Sequence, residues 1–391
     1  MTGSKPRVAL MLQGGGALGA YHIGAYQALA EQAMHPDWIA GISIGAINSA
    51  VLAGTPPEER VDKLAALWEA ISWPGSGLRP LEPFALWQNW MSNAEALIFG
   101  QPNFFFPRPI NPMLVPQAVP SAVSFYDTTP MLSTLGRFAD FHLINTKAAP
   151  RLSLGATNVE TGQLEFFDSK YRAIRPEHVL ASGSLPPGFA ATKVGDRYYW
   201  DGGCVSNTPL DVVIDESDGP HTVVFMIDLW APEGKPPTNM SDAAWRAKQI
   251  QYASRTAHHI DAVATKVNLR HAVRLAKQAG VPEVAAVPDA PYLHAGRLDI
   301  VHIIYHPGPD QIPNSDAEFS RSSIAERRAA GYADMNAALV AEPWTRAEKP
   351  AHLGAMIHRV RDGRVMTLPE PNLTSTKDLP LADDEEMRAA S

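Results

Sequence analysis

Short apolar runs that end in glycine or proline alternate with helix-like segments in the first part of the chain. Residues 7–13 have the pattern of a buried strand ended by glycines, and residues 20–32 have helical spacing of Ala, Leu and other apolar positions. Residues 38–42 form a second strand pattern, and residues 44–53 form a second helix pattern that stops at Gly54. Strand, helix, strand and helix within about fifty residues predict a parallel sheet with helical crossovers.

Further apolar segments extend this alternation along the chain. Strand patterns follow at residues 152–157, 164–167, 197–200, 222–227 and 299–305. Helix patterns lie at residues 61–72, 177–182, 243–279 and 320–340. The sequence therefore predicts an α/β protein.

Composition narrows the class of protein. The chain has 391 residues, 45% hydrophobic and 19% charged, so it can bury a sizeable core and is not wholly disordered. A formal net charge of -8 argues against a general nucleic-acid binder and against simple electrostatic adsorption to anionic lipid. Cys204 is the single cysteine, so no internal disulfide can form. Without a signal-peptide pattern or a membrane-spanning apolar run, we expect a soluble, cytoplasmic protein.

The first candidate for chemistry is a serine between two glycines, Gly41-Ile-Ser43-Ile-Gly45, where the second predicted strand gives way to the second predicted helix. This context is typical of a nucleophile elbow, a sharp turn that leaves the serine hydroxyl exposed. The positive end of the following helix dipole would stabilise negative charge that develops nearby. A serine that only caps the helix is the alternative, and the strand before and the helix after favour the nucleophile.

A glycine-rich turn, Gly14-Gly-Gly-Ala-Leu-Gly19, follows the first predicted strand. It matches the dinucleotide-binding fingerprint, but that function needs an acidic residue at the end of the second strand, where Ser43 stands instead. Unpaired N–H groups at a helix N-terminus can also stabilise a tetrahedral oxyanion. Neighbouring parallel strands place their loops at the same sheet edge, so this turn and Ser43 are expected to lie together. A turn needed only for close packing is a further alternative.

A carboxylate stands at the end of another predicted strand, in Asp201-Gly202-Gly203. A serine hydroxyl needs a base to take its proton, and partial desolvation makes a carboxylate a better base. Taken alone, however, this segment is more typical of a simple turn. None of the 13 histidines lies in a motif that singles it out, and His22 in the first helix is more consistent with a locally bonded residue.

The sequence indicates no metal ion and no cofactor. His258 and His259 are adjacent on a helix pattern, where neighbouring side chains face in different directions, so they do not form a pair of ligands. No other group of residues has the spacing of a metal site.

These motifs, in this order, resemble those of the patatin-like phospholipase family. The resemblance rests on the glycine turn at 14–19, the serine motif at 41–45, the aspartate motif at 201–203 and an Ala-Ser…Pro segment at 181–189. It covers roughly residues 7–229. The stretch at 318–334 is similar to a C-terminal extension found in one bacterial branch of that family.

The resemblance implies a three-layer α/β/α fold with a mostly parallel central sheet and a serine–aspartate dyad without histidine. Carried over by position, Ser43 is the nucleophile and Asp201 is the base. The amides of Gly14, Gly15 and Gly16 line the oxyanion hole. The other motif glycines support these turns, namely Gly19, Gly41, Gly45, Gly202 and Gly203. Leu18 stands where many members have Arg or Lys, which weakens the expectation of a cation near the site and of anionic head groups.

The function implied is hydrolysis of carboxylic esters of phospholipids or other lipids through an acyl-enzyme. A peripheral membrane contact is expected only under one interpretation of the insertion described below, and the net charge argues against a nucleic-acid partner. Two alternatives stay open. One is an esterase for other acyl esters, such as storage-polyester oligomers, and the other is a non-catalytic lipid-binding module. The sequence does not indicate an oligomeric state.

The expected organisation is one acyl hydrolase domain over residues 7–340. Within it, residues 74–130 form an insertion rich in proline and aromatic residues, and residues 240–340 form a C-terminal extension that packs on the domain. The insertion has two interpretations: a wall or lid of an acyl pocket that touches lipid through side chains such as Trp87 and Trp90, or a satellite core. Residues 343–391 are expected to be a polar, flexible tail.

Overall fold

A computed structural model of the chain describes residues 6–72, 99–115, 119–214, 221–288, 296–307, 313–348 and 350–368. Its strands are β1 (Arg7–Leu12), β2 (Trp38–Ile42), β3 (Phe106–Pro107), β4 (Tyr126–Asp127), β5 (Arg151–Asn158), β6 (Leu164–Asp168), β7 (Thr192–Val194), β8 (Arg197–Asp201), β9 (Thr222–Asp228), β10 (Leu298–Ile304), β11 (Ala355–Arg361) and β12 (Arg364–Leu368). Its α-helices are α1 (Tyr21–Glu31), α2 (Ile44–Ala53), α3 (Arg60–Ala70), α4 (Thr129–Phe138), α5 (Phe141–Ile144), α6 (Pro176–Ser182), α7 (Asp211–Ile214), α8 (Met240–Gln278), α9 (Arg321–Ala341) and α10 (Pro343–Arg346).

Ten of the described strands form one sheet in the order β12-β11-β10-β9-β1-β2-β5-β8-β7, with β6 also paired to β5. The six central strands from β11 to β5 run parallel to their neighbours. Antiparallel strands complete both ends, because β12 pairs with β11 while β6 and β8 pair with β5. The expected mostly parallel sheet is confirmed.

Alternate side chains of β1 pack into two different hydrophobic cores, as expected for a strand covered on both faces. Val8, Leu10 and Leu12 join the core that contains residues of α1, α2, α3 and α9. Ala9 and Met11 join the second core, against apolar residues of α8. Helices therefore cover both faces of the sheet, and the fold is the three-layer α/β/α arrangement.

The extension after residue 240 is an integral part of this sheet. Helix α8 covers one face, β10 pairs with β9, and α9 packs along α1 on the other face. Gly24 and Gly331 allow α1 and α9 to approach so closely that an added Cβ on Gly331 would lie 2.1 Å from the Tyr21 carbonyl oxygen.

The expectation of a flexible tail from residue 343 is wrong for the described part of that segment. Helix α10 follows α9 directly, and β11 and β12 form a hairpin that ends the sheet. Asp362 and Gly363 both have positive φ, at 49° and 69°, which suits a tight hairpin turn. Residues 369–391 lie outside the described residues.

The insertion is irregular where it is described. It contains the two-residue strands β3 and β4, and α4 begins at its end. Phe104 and Phe105 are buried against Phe189, whereas Phe99 and Phe106 are exposed. Trp87 and Trp90, which carried the lid interpretation, lie outside the described residues.

Candidate active site

Ser43 stands on a strained turn between β2 and α2. Its φ of 58° and ψ of -126° are unusual for a residue with a side chain, and it occupies the N-cap position of α2 without capping the helix through its hydroxyl. The elbow allows no Cβ at Gly45, where an added atom would lie 2.1 Å from the Leu12 carbonyl oxygen. The serine side chain therefore does not cap the helix, as the nucleophile interpretation requires.

The glycine turn lies directly beside Ser43. Leu12 at the end of β1 is paired with Gly41 near the end of β2, so both following loops leave the sheet at the same edge. A Cβ on Gly14 would lie 2.8 Å from the Ser43 Cβ, which only glycine avoids. The structure therefore brings these two motifs together.

The register of three strands brings Asp201 to the level of Ser43. Ile42 is paired with Gly155 of β5, and the next residue of β5, Ala156, is paired with Asp201 of β8. Ser43 follows Ile42, so the serine and the aspartate flank the same point of β5 from opposite sides. The predicted meeting of residues 43 and 201 at one sheet edge agrees with this register.

Asp201 is buried, with 1% of its surface exposed, and it is poorly paired. Its Oδ1 accepts the Gly203 N–H at 2.7 Å, whereas Oδ2 has no hydrogen-bond partner of ordinary geometry among the described residues. Burial raises the pKa of Asp201 to about 7, although hydrogen bonding from the Ser43 side chain and the Gly203 N–H opposes the rise. The side chains of Ser43 and Asp201 are therefore close enough to interact.

The Ala-Ser…Pro segment holds both residues in place. The Ser43 N–H donates to the carbonyl and hydroxyl oxygens of Ser182, each at 3.1 Å. The Ser182 hydroxyl donates in turn to the Gly155 carbonyl at 2.6 Å, and the Asp201 N–H donates to the Ser184 carbonyl at 2.9 Å. One short segment therefore fixes the backbone on both sides of the site.

The remaining motif glycines lie at close contacts around this centre. A Cβ on Gly41 would lie 2.3 Å from the Gly45 carbonyl oxygen, and a Cβ on Gly19 would lie 2.7 Å from the Ile44 side chain. A Cβ on Gly202 would lie 2.8 Å from the Gly155 carbonyl oxygen, and a Cβ on Gly203 would lie 3.1 Å from Asp201 Oδ1. These contacts pack the turns tightly against each other.

Three backbone donors of the glycine turn are free. Within the described ranges, no protein acceptor takes a hydrogen bond from the N–H of Gly14, Gly15 or Gly16. Gly16 has a φ of 54° and begins a short 3₁₀ turn that leads into α1. Unpaired N–H groups next to a serine are the arrangement that stabilises an oxyanion.

Comparison with known families agrees with these motifs. A family model described as patatin-like phospholipase matches residues 10–214, more than half of the chain. The chain belongs to the patatin-like phospholipase family. A second model, described as patatin phospholipase, matches residues 250–351 and therefore the C-terminal extension.

Individual relatives of this patatin-like chain are distant. A patatin-like phospholipase domain-containing protein of Caenorhabditis elegans is 41% identical over 61 residues, which make up 16% of this chain and only 4% of that protein. The solved structure of VipD from Legionella pneumophila aligns with 84% of this chain and 67% of its own, at 14% identity and a TM-score of 0.33. Human GIVD cytosolic phospholipase A2 aligns with 86% of this chain and 62% of its own, at 12% identity and a TM-score of 0.34.

The histidines considered in the patatin-like sequence have other partners. His22 is buried in α1, where its Nδ1 accepts a hydrogen bond from Asn48 at 3.0 Å, and burial lowers its pKa to about 3. His259 bonds to Asp211 at 2.8 Å. Over the described ranges, no three His, Cys, Asp or Glu side chains are grouped so that they could hold a metal ion. No helix in the same ranges is long and apolar enough to cross a membrane.

Two residues next to the site were missed by sequence reasoning. Asn207 donates from Nδ2 to the Gly14 carbonyl at 2.6 Å, and Trp230 donates from its indole to the same oxygen at 2.9 Å. Both lie on loops that follow β8 and β9. Nothing in the local sequence signals these contacts, because they depend on how distant strands are paired.

Proposed function

We propose that this protein is a serine lipid acyl hydrolase that cleaves carboxylic esters through an acyl-enzyme on Ser43. Asp201 is the base, and the N–H groups of Gly14, Gly15 and Gly16 form the oxyanion hole. The observation that carries this proposal is a buried carboxyl group, Asp201, whose pKa burial raises to about 7 and which lies at the level of the strained Ser43, beside glycine N–H groups without a protein acceptor among the described residues. Membership of the patatin-like phospholipase family supports the ester and lipid class.

The reaction proceeds in two steps, acylation of Ser43 and deacylation by water. Asp201 accepts the hydroxyl proton as Ser43 Oγ bonds to the ester carbonyl carbon, and the glycine N–H groups stabilise the oxyanion. The intermediate collapses to the acyl-enzyme, and the leaving alcohol takes the proton from Asp201. Water then loses a proton to Asp201 as it attacks the acyl carbon, and the fatty acid leaves as Ser43 regains its proton.

The pKa of Asp201 suits this residue to act as the base. An exposed carboxylate is too weak a base to accept the proton of a serine efficiently at neutral pH. Burial raises the pKa of Asp201 to about 7, which is close to the optimum for proton transfer near physiological pH. His22 is a poor alternative, since burial lowers its pKa to about 3 and its bonded partner is Asn48.

An aromatic cluster offers a place for the acyl chain. Phe104 of the insertion contacts Phe189, which ends the segment that carries Ser182, with ring centroids 6.1 Å apart. Phe104 also contacts Phe319, with ring centroids 6.1 Å apart. Phe319 lies three residues after Asp316, and the backbone of Asp316 packs on Gly16. The cluster thus joins two segments that touch the site. We propose that it forms one wall of the acyl pocket.

A peripheral contact with a lipid surface forms part of the proposal. Large apolar side chains at 99–125 are exposed, with Met113 at 80% and Leu114 at 77%, and they include Phe106, Ile110, Val119, Val123 and Phe125. Arg108 is the single charged residue between 99 and 126. A patch this apolar, free of acidic residues and continuous with Phe104, suits the interfacial region of a bilayer better than water.

Ser43→Ala tests the reaction. We expect turnover of a p-nitrophenyl ester to fall at least ~10³-fold while the melting temperature is preserved. Phospholipid vesicles, triacylglycerol and hydroxyalkanoate oligomers offered to the wild type then separate the ester classes. If the Ala variant hydrolysed the ester at the wild-type rate, the proposal would be disproved. If the wild-type protein bound vesicles but was not labelled by a fluorophosphonate, a non-catalytic lipid-binding module would be favoured.

Met113→Asp/Leu114→Asp tests the lipid contact. The double variant should sediment with phosphatidylcholine vesicles less than the wild type, while it hydrolyses a soluble ester normally. Leu269→Asp/Val340→Asp is the matched control, because it adds the same charge at exposed apolar positions on α8 and α9. Equal sedimentation of the two double variants would contradict a lipid contact at this patch.

A further inference from the structure

The carbonyl group of Gly14 is held by two buried side chains, at the turn whose N–H groups are free. Asn207 Nδ2 lies 2.6 Å from this oxygen and Trp230 Nε1 lies 2.9 Å from it. In a planar trans peptide the C=O and the following N–H point in opposite directions. Fixing the Gly14 oxygen therefore fixes the direction of the Gly15 N–H, which points away from Asn207 and Trp230.

Trp230 is itself held by the C-terminal extension. Its indole is 2% exposed and stacks on Tyr252 of α8, with ring centroids 4.8 Å apart and planes inclined by 30°. A buried indole N–H needs an acceptor, and the Gly14 oxygen is the one that it has. The ring orientation and the direction of the glycine peptide are thus coupled.

Two further contacts from the extension reach the same turn. Gln13 donates from Nε2 to the Thr256 hydroxyl of α8 at 2.6 Å, and its Oε1 accepts the Leu229 N–H at 2.7 Å. Arg327 of α9 donates to the Ala17 carbonyl at 3.0 Å. The glycine turn is therefore bonded on both flanks to residues that the extension contributes or supports.

We propose that Trp230 is a positioning residue of the oxyanion hole, and that the extension acts in catalysis by holding this tryptophan. This inference rests on the proposed function. An oxyanion donor is effective only over a narrow range of distances, and loss of one donor lowers kcat by ~10²–10³-fold. Misdirection of one donor, with Asn207 still in place, should lower kcat by ~10–100-fold.

Trp230→Phe tests the inference, because it keeps an aromatic ring against Tyr252 and removes only the N–H and the smaller ring. With a soluble p-nitrophenyl ester, kcat should fall ~10–100-fold while KM changes less than about twofold. The rate of fluorophosphonate labelling should fall in parallel, because the phosphoryl oxygen occupies the same hole. The pH dependence should be unchanged, since Asp201 is untouched.

Trp344→Phe is the matched control. Trp344 is a buried tryptophan of α10, just after the extension, and its ring packs on Phe225 of β9 at 5.3 Å. Its variant should retain kcat within about twofold. Thr256→Val is a second probe should Trp230→Phe fold poorly. It removes the hydrogen bond that α8 provides to Gln13 Nε2 next to the glycine turn, so it should lower kcat without moving KM.

The outcomes separate this inference from the proposed function. A Trp230→Phe enzyme with wild-type kcat overturns the positioning role, as does an equal loss of kcat in Trp230→Phe and Trp344→Phe. Ser43→Ala in the same series reports on the proposed function alone. If the Ser43→Ala protein remained active, the proposed Ser43–Asp201 dyad would be disproved, regardless of the result for Trp230→Phe.

Discussion

Two buried aspartates lie at opposite edges of the same sheet and have opposite surroundings. The side chain of Asp201, at the carboxyl edge, is bonded among the described residues only by the Gly203 N–H and the Ser43 side chain, and burial raises its pKa to about 7. Asp299, near the start of β10, accepts from Arg297 at 2.8 Å, from His358 at 2.9 Å and from His221. Burial favours a raised pKa there too, but these hydrogen bonds outweigh it and hold the pKa of Asp299 well below its ordinary value.

The difference separates a carboxylate suited to holding the fold from one suited to accepting a proton. A buried charge is tolerated when it is paired, and Asp299 with its partners links the starts of β9 and β10 to the middle of β11. An unpaired buried carboxylate costs stability and readily takes a proton. A group left in that state next to a serine is suited to proton transfer rather than to holding the fold.

Asp201→Asn should have the largest effect on activity. The amide cannot accept the serine proton, so we expect kcat to fall by ~10³–10⁴-fold, a loss of the size seen when a catalytic aspartate is amidated. Steady-state kinetics with a soluble ester and circular dichroism of the folded variant measure it. An active Asn variant would remove the distinction between the two aspartates.

Asp299→Asn should affect stability instead. It leaves Arg297 and two histidines without their carboxylate, which costs about 3–5 kcal/mol in comparable buried pairs. Urea unfolding monitored by fluorescence measures this loss, and kcat per folded molecule should stay near that of the wild type. A large fall in kcat with unchanged stability would reverse the roles assigned here.

The pH dependence of kcat/KM should follow Asp201. The base acts only when ionised, so kcat/KM should fall about tenfold for each pH unit below about 7 and reach a plateau above it. Asp299 contributes no step in this range, because its lowered pKa keeps it ionised. A flat profile between pH 5 and 8 would argue against Asp201 as the base.

The smallest effect is on the stability of the Asp201→Asn protein. The raised pKa means that the folded state holds this proton more tightly than the unfolded state, so ionisation lowers stability as pH rises from about 4 to about 7. The Asn variant escapes this cost and should be more stable than the wild type at pH 8. The gap should close towards pH 4 in thermal melts.

The sequence predicted the elements at the carboxyl edge of the sheet well because their signals are local. Strand β2 and helix α2 match the predicted residues 38–42 and 44–53, and the glycines at 14–16 and 41–45 occur where backbones approach closely. The position of Asp201 beside Ser43 could be inferred only through the family resemblance. Its strand is short, and its position depends on a pairing with β5 that no local pattern encodes.

The C-terminal hairpin and the support of the glycine turn were not predicted. Strand β11 carries His358 and Arg359 among its apolar residues, which hid its strand character, although Asp362-Gly363 is a recognisable hairpin turn. The bond from Trp230 to Gly14 joins residues far apart in sequence. Such contacts arise from the sheet order and not from spacing along the chain.

Trapping of the acyl-enzyme tests the central claim most directly. After rapid acid quench during turnover of a p-nitrophenyl ester, mass spectrometry of the digested protein should find the acyl mass on the peptide that contains Ser43. The Ser43→Ala protein should carry none and should not turn over. An acyl group on another residue, or undiminished hydrolysis by the Ala protein, would contradict the account.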